Sequence, residues 1–124
     1  MSGDSDDLVD WDAARSLTGG DDALLDEIVE LFPIESGRHL DGVREAIAAS
    51  DAERLERSAH TLKSAARMFG ARAVVQLAED VEGFGRESRV DAAEELLARL
   101  EEETARLVEA LREGRGRSRG GGTT

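Results

Sequence analysis

Apolar residues recur along this chain at spacings of three and four, the signature of helices with one buried face. Leu8, Val9, Trp11, Ala14 and Leu17 predict a short helix ending near Gly19 and Gly20. Asp21 or Asp22 is expected to cap a second helix, whose Leu24, Leu25, Ile28, Leu31 and Phe32 share a face, and Pro33 to kink or break it. From Glu35 to Ala49 a further helical stretch offers Leu40, Val43 and Ile47, weakened by Gly37 and Gly42. Ser50, Asp51, Ala52 and Glu53 form a capping-box pattern, opening a helix that runs to Gly70. Its apolar stripe is Leu55, Ala59, Leu62, Ala66 and Phe69.

Ala73, Val74, Leu77, Ala78, Val81 and Phe84 mark the next helix, expected to end around Gly83 to Gly85, with a new cap between Ser88 and Asp91. Leu96, Leu97, Leu100, Thr104, Leu107, Val108 and Leu111 carry a last stripe to about Arg112. Short connections favour antiparallel neighbours. The expected fold is all-α: an up-and-down antiparallel four-helix bundle with an additional short N-terminal helix. Residues 1–7 lack apolar content and are expected to be disordered. Residues 8–113 form the bundle, and the Gly and Arg tail 114–124 is expected to be flexible because it cannot bury enough surface to offset its ordering entropy.

Composition sharpens this picture. With 124 residues, 40% apolar side chains, 3% aromatics and one proline, the chain suits one helical domain. The absence of cysteine excludes disulfides and thiol chemistry. The formal charge is -12, and without the three arginines of the tail the first 113 residues carry -15. That balance argues against nucleic acid or an anionic membrane as partner and for a protein. No apolar run approaches the roughly 20 residues of a membrane helix, and the acidic start is unlike a secretory signal, so a cytoplasmic location is expected.

Candidate chemistry gathers on the helix from Asp51 to Phe69. At ~100° per residue, His60 lies roughly 140° from the middle of the buried stripe and should face solvent. Lys63, Ser64 and Arg67 follow it at three, four and seven residues, placing all four side chains in one column on the exposed face. A neutral imidazole nitrogen can attack a phosphoryl donor, and neighbouring cations can stabilise the charge that develops on the equatorial oxygens. Lys63 is the only lysine among 16 basic residues, and a compact, mobile ammonium can follow phosphoryl oxygens as a guanidinium fork cannot. The alternative for His60 is an ordinary exposed histidine. His39 belongs to no comparable column and is assigned no function.

The segment AHTLKSAARMFG, residues 59–70, resembles the signature of histidine-containing phosphotransfer (HPt) domains, and LLDEIVELF and AVVQLAEDVE resemble the family's flanking helices. The resemblance covers about residues 8–111. It implies phosphorylation of His60 on Nε2, neutralisation by Lys63 and closure of the histidine helix by Gly70. Ser64 departs from the commoner Gly, leaving open a slightly restricted docking surface or a hydroxyl that donates to a phosphoryl oxygen. Glu82 falls where related domains carry Glu or Gln near the imidazole, and is either the acceptor of an Nδ1–H bond or a solvated surface acid. Arg67 either assists Lys63 or pairs with an acid one turn away.

Partners implied by the resemblance are a response-regulator receiver domain, a hybrid histidine kinase, or both, with the receiver supplying Mg²⁺ and no intrinsic cofactor or metal. Met68, Leu8 and Val9 are candidates for docking, with Leu8 and Val9 equally able to cover the end of the bundle. No ATP-dependent kinase activity is expected, since the chain has no phosphate loop or nucleotide-binding segment. A monomer is expected, and the initial Met favours a free-standing protein over a domain cut from a larger sensor kinase. The competing class is a phosphate-independent acidic helical adaptor with His60 incidental.

Overall fold

The computed structural model describes the backbone of residues 8–122 and the side chains of residues 8–114. Helices α1 (Trp11–Leu17), α2 (Asp22–Ala49), α3 (Ala52–Arg67), α4 (Arg72–Arg86) and α5 (Val90–Gly122) follow one another, and no strand occurs among the described residues. α3 packs between α2 and α4, α5 packs on both α4 and α2, and α1 leans on α2. The expected disorder of residues 1–7 lies outside the described residues.

Three aspartates set helix starts. Asp10, Asp21 and Asp51 each accept a hydrogen bond from the backbone N–H three residues on, at 3.0, 3.1 and 3.1 Å. The cap of α3 is thus Asp51, one residue later than the capping-box pattern suggested. Ser50 instead takes the left-handed conformation that closes α2.

Pro33 neither breaks nor separates helices, contrary to expectation: α2 is one helix of 28 residues. Proline removes one ladder bond, but Leu25, Val29, Phe32, Ser36, Leu40 and Val43 form an unbroken buried stripe across it. Burial along that stripe outweighs the local loss. The stripe also fixes the rotation of α2, so Leu24 and Leu31, expected inside, are exposed. Phe32 meets Phe69, just past the end of α3, edge to face, with ring centres 5.4 Å apart.

Two glycines permit the close packing that shapes the site. At Gly85 an added Cβ would sit 2.7 Å from the Glu56 nitrogen and 3.0 Å from the Ala52 oxygen, so α4 rests on the α3 backbone there. The helix accordingly continues through Gly83 and Gly85 to Arg86, past its expected end. Gly70 has φ +62°, and a Cβ on it would lie 2.7 Å from Asp10 Cβ. Here the chain leaves α3, and the Asp10 N–H donates to the Phe69 carbonyl at 2.7 Å, tying the start of α1 to the end of α3.

α5 also outruns its expected end near Arg112, and its backbone stays helical to Gly122, through most of the segment expected to be flexible. Gly114 is buried against the Trp11 ring, so the bundle's packing extends past residue 113, and lengthening an existing helix costs far less than starting one.

Candidate functional site

The buried stripe of α3, with Leu55, Ala59, Leu62 and Ala66 fully enclosed, turns His60 outward, and 59% of its side chain is exposed. The ring is nonetheless held. Its Nδ1–H donates to Glu82 Oε2 of α4 at 2.9 Å. An ionised carboxylate can only accept, so in the neutral ring this contact selects the tautomer with the proton on Nδ1 and the lone pair on Nε2. The accessible nitrogen is then the nucleophilic one.

Glu82 is not the surface acid that one reading allowed, since only 9% of its side chain is exposed. Lys63 Nζ lies 2.6 Å from Oε1, which is enclosed and meets no other described group. The contact is an ion pair more than an aligned hydrogen bond. Burial pushes the Glu82 carboxyl up, but the bonds and charges of Lys63 and His60 jointly overcome it and hold the group below the usual glutamate range. The carboxylate form is therefore favoured beneath the imidazole.

The four-residue column is corrected in one member. Ser64 and Arg67 are exposed with His60, but Lys63 is 12% exposed because its ammonium turns in to Glu82. Val9, a docking candidate, is 3% exposed and belongs to the core. Leu8 and Met68 are half-buried against that core. Met68 does line a shallow groove of about 550 Å³ with Ala13, Ser16, Leu17, Ser64 and Arg67. Sequence reasoning placed Leu17 inside, yet it is 63% exposed at this groove.

Arg86 escaped notice altogether. Its Nη1 lies 3.8 Å from Glu82 Oε2 and 3.8 Å from Glu56 Oε2, and the side chain is 60% exposed. The i, i+4 spacing of Glu82 and Arg86 was the available signal. Gly85, between them, brings both against α3. His39 is a separate matter on α2: 18% exposed, 3.8 Å from Glu35, with burial drawing its imidazole below the usual histidine range, Glu35 opposing and Arg38 assisting. Among the described residues no three His, Asp or Glu side chains converge to hold a metal ion.

An outward imidazole anchored through Nδ1, with cations nearby, is an arrangement for accepting a small anionic group on Nε2. The family model described as Hpt domain matches residues 27–112. The chain belongs to the Hpt domain family. An Hpt domain performs histidine phosphotransfer in phosphorelays, and that is the function of this chain. No curated protein matches its sequence. The crystal structure of histidine-containing phosphotransfer protein B (HptB) from Pseudomonas aeruginosa PAO1 is similar, with a TM-score of 0.81 and 23% identity over 89% of this chain and 96% of that one. The likeness is one of fold. It accords with the all-helical class expected from periodicity.

Proposed function

We propose that this Hpt domain takes a phosphoryl group on His60 Nε2 and exchanges it with the aspartate of a response-regulator receiver domain. The observation that carries this reading is the 2.9 Å bond from Nδ1–H to a buried, ionised Glu82 beneath an exposed ring. In the forward step the Nε2 lone pair attacks phosphorus as the bond to the aspartyl oxygen breaks. The aspartate leaves as a carboxylate, and no proton moves. The product is an N-phosphorylated imidazolium whose positive ring still donates through Nδ1 to Glu82, so the carboxylate offsets charge that appears only on transfer. Return to a receiver reverses each change.

Lys63 supplies a positive charge one helical turn from His60, although in the resting state it belongs to Glu82. Arg86 is the looser cation. With two contacts at 3.8 Å and most of its surface in water, it can redirect to a phosphoryl oxygen at little cost. Arg67 makes no ion pair among the described residues and stands at the groove, where Met68 and Leu17 offer the receiver an apolar contact. Mg²⁺ belongs to the receiver in this scheme. Gly70 keeps a structural role, ending the histidine helix and admitting Asp10.

The domain is proposed to work as a monomer in the cytoplasm, as an up-and-down antiparallel bundle. Contacts of α3 with α4 run in opposite order along the two helices, His60 to Glu82 and Glu56 to Arg86, which supports that topology. No described helix is long and apolar enough to cross a membrane. The adaptor reading leaves the ordered imidazole and its buried carboxylate without a task. Incubation with a receiver phosphorylated on its aspartate tests the choice: acid-labile, base-stable label should appear on the wild type and not on His60→Gln. Equal labelling of both proteins would reject the proposal.

A further inference from the structure

Ser64 directly follows Lys63 on α3, and its surroundings give its hydroxyl a use. It lies one turn beyond His60 and about 40° further round α3, at ~100° per residue. Lys63 lies on the other side of His60, turned towards α4 and Glu82. Because Nδ1 faces Glu82, Nε2 is the ring edge directed away from α4. Ser64 is exposed on that free flank, the side a phosphoryl group on Nε2 would occupy.

The hydroxyl is also uncommitted. Serine and threonine inside helices can return a hydrogen bond to a carbonyl three or four residues back. Ser36, Thr61 and Thr104 do so here, to Pro33, Arg57 and Leu100. Ser64, whose corresponding carbonyl is that of His60, makes no side-chain hydrogen bond among the described residues. Lys63, the other polar neighbour one turn on, is held at 2.6 Å by Glu82. Of the two polar side chains one turn on from His60, Ser64 is the one left without a partner among the described residues.

We propose that the Ser64 hydroxyl donates a hydrogen bond to the phosphoryl group on His60 and prolongs the life of the phosphorylated state. This rests on His60 being the acceptor, as proposed above. A hydroxyl at this position thus adds a contact that glycine cannot make, while remaining small enough for a receiver to approach.

The test needs no receiver. Wild type, Ser64→Ala and Ser64→Gly are phosphorylated with potassium phosphoramidate and freed of reagent, and the decay of phosphohistidine is followed by ³¹P NMR. Both variants should lose phosphate about two- to tenfold faster than wild type, the worth of one hydrogen bond, with a displaced phosphorus resonance. Alanine favours a helix more than serine does and glycine less, so an effect acting through helix stability would move the two variants in opposite directions and overturn the proposal. Unchanged lifetime and resonance in Ser64→Ala would overturn it too. A wild type that takes no phosphate on His60 would instead strike at the phosphotransfer reading beneath it.

Discussion

His39 on α2 keeps 18% of its side-chain surface and faces Glu35 across 3.8 Å, whereas His60 on α3 keeps 59% and donates to a buried carboxylate at 2.9 Å. One ring is shielded and loosely partnered; the other is open to water and firmly oriented. Exposure by itself would let an imidazole rotate and present either nitrogen, and burial by itself would hide both. The His60 site separates the two functions by helix. α3 sets the ring in solvent, and α4 supplies the group that orients it from beneath.

The sharpest way to break this contrast is to exchange the residues. His60→Gln should abolish phosphotransfer, while His39→Gln should keep it within about twofold, measured as initial transfer from one phosphorylated receiver. Loss of transfer in His39→Gln with the fold intact by circular dichroism would show that the shielded ring takes part.

Orientation comes next in size. Glu82→Ala removes the acceptor of Nδ1–H and leaves the Lys63 ammonium without its partner. Transfer should fall by about tenfold or more, the worth of a charge-assisted hydrogen bond, and the ¹⁵N spectrum of His60 should show both neutral tautomers. A spectrum that retained only the Nδ1–H form would show that something other than Glu82 orders the ring.

The spacing of α3 and α4 is tested by a glycine pair. Gly85→Ala forces a methyl into the Glu56 backbone and should cost about 1–3 kcal/mol in denaturant unfolding. Gly83→Ala meets only the flexible end of Arg86, at 3.6 Å, and should be neutral or stabilising by up to about 1 kcal/mol through helix propensity. Equal effects would remove the argument that contact at Gly85 positions Glu82.

Most of the fold was legible because its signals were local and periodic: the stripe Leu55, Ala59, Leu62 and Ala66 of α3, with Phe69 just beyond its end, is buried as its spacing predicted. Pro33 misled because its cost is local while the stripe that overrides it spans most of α2. The exposure of His60 followed from helix geometry, but the inward turn of Lys63 did not. That turn depends on a carboxylate 19 residues further along the chain and on another helix, a relation periodicity cannot express. Arg86 was missed although its i, i+4 spacing from Glu82 was legible, because its second contact, Glu56, lies on another helix, and Gly85 because its neighbour is a backbone across the helix interface.

The smallest predicted effect is on the pH dependence of stability. His39 is held below its ordinary value near 6.5, so the unfolded chain takes up its proton first. Stability should therefore decline as pH falls below that value, and His39→Gln should flatten this part of the profile. Glu82 is held below its ordinary value near 4.5. Its contribution is present above that value and is lost as pH falls through the lowered folded value. Urea unfolding between pH 7 and pH 3 resolves the two windows, and an unchanged slope near pH 6 in His39→Gln would remove the shielded histidine from the account.

The central claim concerns one atom, the outward Nε2 of His60. Phosphorus NMR of the loaded domain, with the modified residue located by mass spectrometry under neutral conditions, reads that atom directly. A single Nε2-phosphohistidine signal at His60 is the result predicted. Phosphate on Nδ1, on His39 or on any carboxylate would contradict it.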